Sequence, residues 1–412
     1  MFDKDYKKPE EALKLILKSI GDLTKDSETI PIEEAYQRIL AEDIHSSEDL
    51  PGFDRCTVDG YALIATDTFG AKDTNPVYLE AIGEVFMGEE TNLRVNRGQC
   101  VKIPTGGMLP DGADAVIMFE HTQQISENLI EVLRSLSVGE NVISRDEDIK
   151  KGELILKKGS QLRSQDIGAF AGLGITNISV FKKPIVSIIS TGDEIVPASS
   201  PIKIGQVRDI NSYSLDGLIR QRGGITKKIG IIKDNYDEIK RAFSYALSIS
   251  DIVLISGGTS AGVKDMTSRI INDTGKPGVL FHGVAMKPGK PLIAGLVDSK
   301  PVFGLPGHPS AIFVSFDKFI RPVIENIAGY KSTKNIDRTI KASISKSIAS
   351  SMGREDHIRV SLEKKSDGTY LAHPIFGKSG LITTLVSADG IVIIDEDSLG
   401  LDAGDEVTVR LF

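Results

Sequence analysis

The chain is 412 residues long, with 40% hydrophobic and 26% charged residues and a net charge of −8. That length exceeds what one hydrophobic core usually organises, so about two to four domains are expected. The acidic balance, without a long basic block or an aromatic-interleaved basic stripe, excludes a nucleic-acid binder, and no apolar run approaches the ~18 residues needed to cross a bilayer.

The opening, MFDKDYKKPEEALKL, has neither a signal-peptide apolar core nor a small-residue cleavage site, so a cytoplasmic address is expected. After Pro9, the residues Leu13, Ile16, Leu17 and Ile20 recur at helical spacing; after Pro31, so do Ile32, Ala35, Tyr36, Ile39 and Leu40. Two amphipathic helices are predicted there. Residues 49–65, DLPGFDRCTVDGYALIA, then interrupt any helix with Pro-Gly and Asp-Gly turns and carry Asp49, Asp54 and Asp59 into loops. From there to about Asn141, short β-rich pieces separated by turn signals read as a small all-β domain. Cys56 and Cys100 are the only cysteines, too few for a disulfide framework, and no Cys/His spacing suits zinc; two reduced thiols are expected. Acidic RDEDI and turn-like KKGELILKKGS follow, then a Gly/Ala-rich helix beginning near Ser164.

The middle of the chain alternates strands and helices. PIVSIIS leads to TGDEIV; a helix from Asn211 stops at Gly223 and Gly224; ITKKIGII precedes a helix whose Asn235 and Glu238 resemble a capping box; DIVLIS follows. This order predicts a parallel sheet with right-handed crossovers and ligands at the carboxyl ends of its strands. Polar loops fall at such ends at Thr191 to Glu194, Lys233 to Asn235 and Gly257 to Asp265. A last apolar helical stripe, from Ile312 to Ile327, contains Pro322, where a kink is expected. After about Gly329 the pattern becomes short alternating strands, an all-β tail.

In SGGTSAG, Gly257 and Gly258 allow backbone N–H groups to approach an anion, and Thr259 and Ser260 supply hydroxyl donors. The order is not that of a Walker loop, and a tight structural turn is the plain alternative. Asp265, just beyond, is poorly placed for an anion unless a cation such as Mg²⁺ bridges them. In KPGKP the prolines, Pro291 among them, restrict where Lys287 and Lys290 can point. That suits capture of an oxyanion, each charge-assisted hydrogen bond contributing about 1.5–3 kcal/mol. Glu194 and Asp234 sit at the ends of neighbouring strands, where a carboxylate serves either a metal or the first turn of a helix.

Taken in order, DLPGFDRCTVDGYA, KIPTGGMLPDGADAVI, STGDEIV, LISGGTSAGVKD, MKPGKP, FGLPGHPSA, GREDHIRV and FGKSGLITTLVSADGIVII resemble the molybdopterin molybdenumtransferase family, the MoeA-like enzymes related to the C-terminal part of gephyrin. The resemblance implies an α/β multidomain fold: a discontinuous helical domain (1–48 and 142–181), an inserted β-rich domain (49–141), a molybdopterin-binding-like α/β domain with a central parallel sheet (182–328) and a C-terminal β-barrel (329–412). It implies a homodimer in which the second domain of one protomer faces the third and fourth of its partner, setting Asp59 and Thr105 opposite Asp265. The implied reaction is Mg²⁺-dependent insertion of molybdate, with tungstate as the alternative oxyanion, into adenylylated molybdopterin with release of AMP.

Residue by residue, Asp265, Glu194 and Asp234 match acidic positions of the family's site and are expected to be catalytic and to hold the metal, with Asp59 contributing from the facing loop beside Thr105. Lys287, Lys290, Pro291, Arg354 and Ser379 match oxyanion- or substrate-binding positions. Thr191, Gly192, Gly257, Gly258, Thr259 and Ser260 are expected to cradle the pterin phosphate. Where the family commonly reads GNPVSA this chain reads GHPSAI, so the hydroxyl sits at Ser310, Ala311 holds the usual serine position and His308 replaces an amide or aromatic residue. The family's oxyanion contact there is kept only if Ser310 or His308 supplies a donor in its place. Two other readings of the resemblance are a non-enzymatic, gephyrin-like dimeric scaffold and a molybdopterin adenylyltransferase. The first is opposed by the retained acidic and lysine positions, the second by β-rich regions on both sides of the α/β segment.

Overall fold

The computed structural model describes residues 6–257, 261–331 and 338–412, and for 261–265 the backbone alone. The chain divides into two compact units: one comprises Met1–Glu42, Lys158–Ser164 and Asn177–Phe412, the other Asp43–Lys157 and Gln165–Thr176.

The first unit is built on a six-stranded sheet ordered Ile225–Ile232, Ile185–Thr191, Ile252–Gly257, Lys300–Leu305, Ile293–Val297, Pro277–His282. The parallel pattern holds except at Ile293–Val297, which runs antiparallel to both neighbours. The reversal is local: Asp298 and Ser299, at φ of 50° and 70°, form a two-residue turn that returns the chain as a hairpin. Both sheet faces are buried, and side-chain alternation divides them. Val186, Ile188, Ile252 and Leu254 pack with Ala12, Ile16 and Ile20 of the first helix, Pro9–Ile20, and with Ile312, Phe316 and Phe319. Ile189, Val253 and Ile255 pack on the other side against Ile239, Phe243, Ile270 and Ile271.

The second helix predicted after Pro31 is absent. Only a single 3-10 turn forms at Ile32–Glu34, and Gln37 takes a positive φ of 62°. Ile39 and Leu40 instead form β-bridges with Gln161 and Val180, beside the antiparallel pairing of Ser27–Pro31 with Asn177–Phe181. The apolar spacing is real, but its residues meet strand partners distant in sequence, while Tyr36 stays exposed. The apolar stripe around Pro322 is helical, interrupted by a wide π turn at Phe316–Ile320 immediately before Arg321–Ile327. Proline has no N–H to donate to the preceding turn, which accounts for a break there.

The tail is a closed five-stranded barrel. Its strands run in the order Glu355–Lys364, Tyr370–Pro374, Thr339–Ile344, Glu406–Leu411, Gly390–Ile394, and the last pairs back onto the first. Ala342, Ile344, Val360, Ala372, Val392, Val407 and Val409 fill it. Met286–Lys287 adds a short parallel strand beside Glu355–Asp356, so the KPGKP segment is anchored on the barrel by backbone hydrogen bonding.

The other unit contains a six-stranded sheet, ordered Ala115–Met118, Gly60–Leu63, Gln99–Ile103, Val77–Glu84, Leu129–Val132, Thr122–Ser126. Gly60 begins its second strand so close to the neighbouring one that a Cβ would lie 1.8 Å from Ile117 O. Among the described residues no helix is long and apolar enough to cross a membrane.

Candidate functional site

Three parallel strands end side by side: Thr191 pairs with Gly257, and Ser256 with Leu305. The chain leaves Ile185–Thr191 toward one sheet edge and enters Ile252–Gly257 on the other side, so the crevice between them is a topological switch point. Gly257 is required there. At φ 150°, a Cβ on it would lie 1.9 Å from the carbonyl oxygen of Thr191. Replacing Gly257 by Ala is expected to lower unfolding stability by more than about 2 kcal/mol, through strain and displacement of the paired strand; urea denaturation of the two proteins compares them directly.

At this edge Asp193, Glu194 and Asp234 converge. The Asp234 amide donates to Asp193 Oδ1 at 3.3 Å. Asp234 is half-buried, and its Oδ1 has no hydrogen-bond partner among the described residues. Burial first, then the charges of Asp193 and Glu194, raises its pKa above the usual carboxylate range. Asn235 is the helix cap, its Oδ1 accepting from the amides of Asp237 and Glu238 at 3.0 and 3.1 Å. Capping therefore does not occupy Asp234. Among the described residues no group of three or more His, Cys, Asp or Glu side chains is arranged to enclose a metal. The donor set nevertheless fits Mg²⁺, a hard ion that takes one or two carboxylates and completes its shell with water and substrate phosphate. Thr191 is buried beside this cluster, its hydroxyl without a partner among the described residues, and Gly192 brings the backbone against the Glu194 carboxylate. Gly258, Thr259 and Ser260, and the side chain of Asp265, lie outside the described residues; the Asp265 backbone belongs to the helix Ala261–Thr274.

A cleft of about 880 Å³ lies between the α/β sheet region and the barrel, bordered on the sheet side by Ala285 to Pro291 and by the turn after Leu305 with Pro306, His308 and Ala311. Lys287, Lys290, Pro291, Arg354 and Ser379, expected together from sequence, all line it. Lys290 Nζ sits 4.1 Å over the Tyr6 ring. Arg354 is held by Asp356 through two bonds, Nε to Oδ1 at 2.9 Å and Nη2 to Oδ2 at 3.3 Å. Asp356 is 2% exposed and also accepts from Ser350 Oγ. Arg354 is thus oriented, but much of its charge is already balanced.

Ser310 does not line this cleft. Its hydroxyl is buried without a partner among the described residues, while its amide donates to Ser379 O at 3.2 Å; His308 and Ala311 face the cleft from that turn. His308 Nδ1 and Ser379 Oγ hydrogen-bond at 2.8 Å. Of the two replacements considered for the missing family hydroxyl, it is His308 that the fold brings to the cleft. Arg359 and Lys378 also line it, though sequence reasoning did not single them out. The available signal was Arg359 lying inside the apolar run of HIRV, a cation at a strand position flanked by core residues.

In the other unit, Asp59 Oδ1 accepts from both the amide and the hydroxyl of Thr105, at 2.7 and 2.9 Å. These bonds hold its carboxyl below the usual range. Asp49 and Asp54 are taken up by loop structure: Arg145 Nη2 and the Lys151 amide donate to Asp49, and the Arg145 amide donates to Asp54. Cys56 and Cys100 are buried free thiols, and burial raises both, Cys100 up to about 12, which disfavours the reactive thiolate.

The motifs on these elements match known families from end to end. Residues 7–174 fit the MoeA N-terminal region (domain I and II), residues 187–326 the "Probable molybdopterin binding domain", and residues 341–412 the MoeA C-terminal region (domain IV). A molybdopterin molybdenumtransferase of Staphylococcus aureus is 31% identical over 386 residues, covering 93% of this chain and 90% of that one. The chain belongs to the MoeA family. A Methanocaldococcus jannaschii protein named for molybdopterin biosynthesis is 36% identical over 95% of this chain and 93% of its own. The crystal structure of the MoeA protein from Pyrococcus horikoshii superposes with a TM-score of 0.86 at 35% identity, covering 99% of this chain and 100% of that one. As a MoeA-family enzyme of molybdenum cofactor biosynthesis, the chain carries its acidic cluster at strand ends of the α/β sheet and a cationic cleft between the sheet region and the barrel.

Proposed function

We propose that the chain inserts molybdate into adenylylated molybdopterin in an Mg²⁺-dependent reaction that releases AMP, acting as a cytoplasmic homodimer. The observation that carries this reading is the cleft in which Lys287, Lys290, Arg354 and Ser379 converge, in the same unit as the carboxylates Glu194 and Asp234 at the strand ends. One region then favours a tetrahedral oxyanion and the other a hard cation on a phosphoanhydride.

Glu194 and Asp234, joined by Asp265 as the family positions imply, would hold Mg²⁺, which supplies charge neutralisation at the phosphate oxygens. The orphaned Asp234 Oδ1 and its two carboxylate neighbours supply the negative potential that attracts the ion. Lys287 and Lys290, restrained by the flanking prolines and the barrel pairing, place ammonium groups against the oxyanion before it reaches the pterin dithiolene. Ser379, set by His308, fixes the orientation of that oxyanion. The test is purified protein with adenylylated molybdopterin, Mg²⁺ and either molybdate or tungstate. AMP release and active cofactor are the expected products. Neither product forming while the S. aureus relative turns over would sink the proposal; ATP-dependent adenylylation of molybdopterin without an oxyanion would assign the adenylyltransferase chemistry instead.

A further inference from the structure

Arg359 is 8% exposed, on the barrel strand Glu355–Lys364 where it lines the cleft. Its Nη2 donates to Gly377 O at 3.1 Å, directing the guanidinium at the loop that carries Lys378 and Ser379. Among the described residues its Nε is buried without a hydrogen-bond partner and no carboxylate forms an ion pair with it. The nearby acids are committed elsewhere: Asp356 to Arg354 and Ser350, and Glu355 to Lys318 and His357. Burial accordingly lowers the guanidinium's pKa from the ordinary arginine value.

A buried cation with no counter-ion is among the most unfavourable arrangements in a protein interior, and removal of one partner from a buried pair is costly for this reason. Here the cation lines a cleft shared with Lys287, Lys290 and Lys378, and burial is uncompensated by any carboxylate among the described residues. An anion in the cleft supplies that compensation. Arg354, whose position matches the family's pattern, has its counter-ion within the protein and gains less.

We propose that Arg359 is an oxyanion contact of the cleft, its guanidinium left unpaired by the protein so that a bound tetrahedral dianion supplies the missing charge. This inference rests on the cleft being the oxyanion site. The guanidinium suits it, because it presents several N–H donors in one plane and only Nη2 is engaged, by Gly377 O.

The experiment is titration of the full-length protein with sodium molybdate by calorimetry, together with thermal melts in oxyanion-free buffer. Arg359→Gln is expected to weaken molybdate binding about 10- to 100-fold, the loss of one charge-assisted contact. It is also expected to melt at or above the wild-type temperature without anion, because an uncompensated buried charge has been removed. Arg359→Lys, retaining charge, is expected to bind molybdate more tightly than the Gln variant. Unchanged affinity in Arg359→Gln, while Lys290→Gln loses binding, overturns the role of Arg359 and leaves the cleft standing. Equal affinities for the Lys and Gln variants, or a lower melting temperature for Arg359→Gln with molybdate binding intact, overturn it as a structural residue. No molybdate binding by wild type removes the oxyanion reading of the cleft and this inference with it.

Discussion

A double variant, Lys287→Gln with Lys290→Gln, is expected to lose about 10²- to 10⁴-fold in molybdate-dependent kcat/KM while keeping its fold. Each ammonium offers the oxyanion a charge-assisted hydrogen bond worth about 1.5–3 kcal/mol, and every 1.4 kcal/mol is tenfold. Both lysines lie on a segment whose backbone pairs with the barrel through Met286–Lys287, so neutral amides of similar length leave the segment in place. Lys290 also gives up its contact over Tyr6, an exchange worth about 1 kcal/mol or less in the free protein. Steady-state kinetics at increasing molybdate separates the two effects. The loss should fall on KM for molybdate and leave the KM for the pterin nucleotide nearly unchanged. A KM for molybdate unaltered by both substitutions would mean that the oxyanion binds elsewhere.

The second large effect is expected at Asp234. Asp234→Asn should lower turnover by at least about 10²-fold, the scale on which removal of a preorganised charge is felt at an active site. The same change should raise thermal stability at neutral pH in the absence of divalent ions. The sign follows from the raised folded-state pKa: burial and the charges of Asp193 and Glu194 make ionisation of Asp234 unfavourable in the native protein. That penalty is absent below the unfolded pKa, near 4, and develops as pH rises through the folded value. The stability advantage of Asp234→Asn should therefore be present at pH 7 and vanish toward pH 3, and added Mg²⁺ should stabilise wild type more than the variant. A variant destabilised at pH 7 and fully active would assign Asp234 a structural role. Helix capping does not confuse the comparison, since Asn235 provides the cap.

The alternation of β-branched runs with amphipathic helices predicted the central sheet, because both periods are local and recur within a dozen or so residues. The same local reading failed between Ile32 and Leu40. Apolar residues at helical spacing carry no label for what they will pack on, and here Ile39 and Leu40 bridge to Gln161 and Val180 across a long stretch of chain. The reversed strand Ile293–Val297 escaped prediction because its turn, Asp298-Ser299, lacks the glycine that usually marks a two-residue hairpin.

The sequence by itself determined the family, the order of its parts, and the residue types at the site: carboxylates at strand ends, lysines between prolines, an arginine and a serine on the barrel. Only the tertiary structure decided which of those charges remain available. Arg354 and Arg359 are both arginines on neighbouring stretches of GREDHIRV, yet Asp356 is bonded to one and no acid reaches the other among the described residues. Likewise the side chain of His308, not that of Ser310, bonds Ser379 Oγ at the cleft. The physical reason is the same in both cases. Residue identity states how much charge or how many donors a side chain carries, but compensation acts through space over a few ångströms, between groups that the sequence separates and the fold brings together.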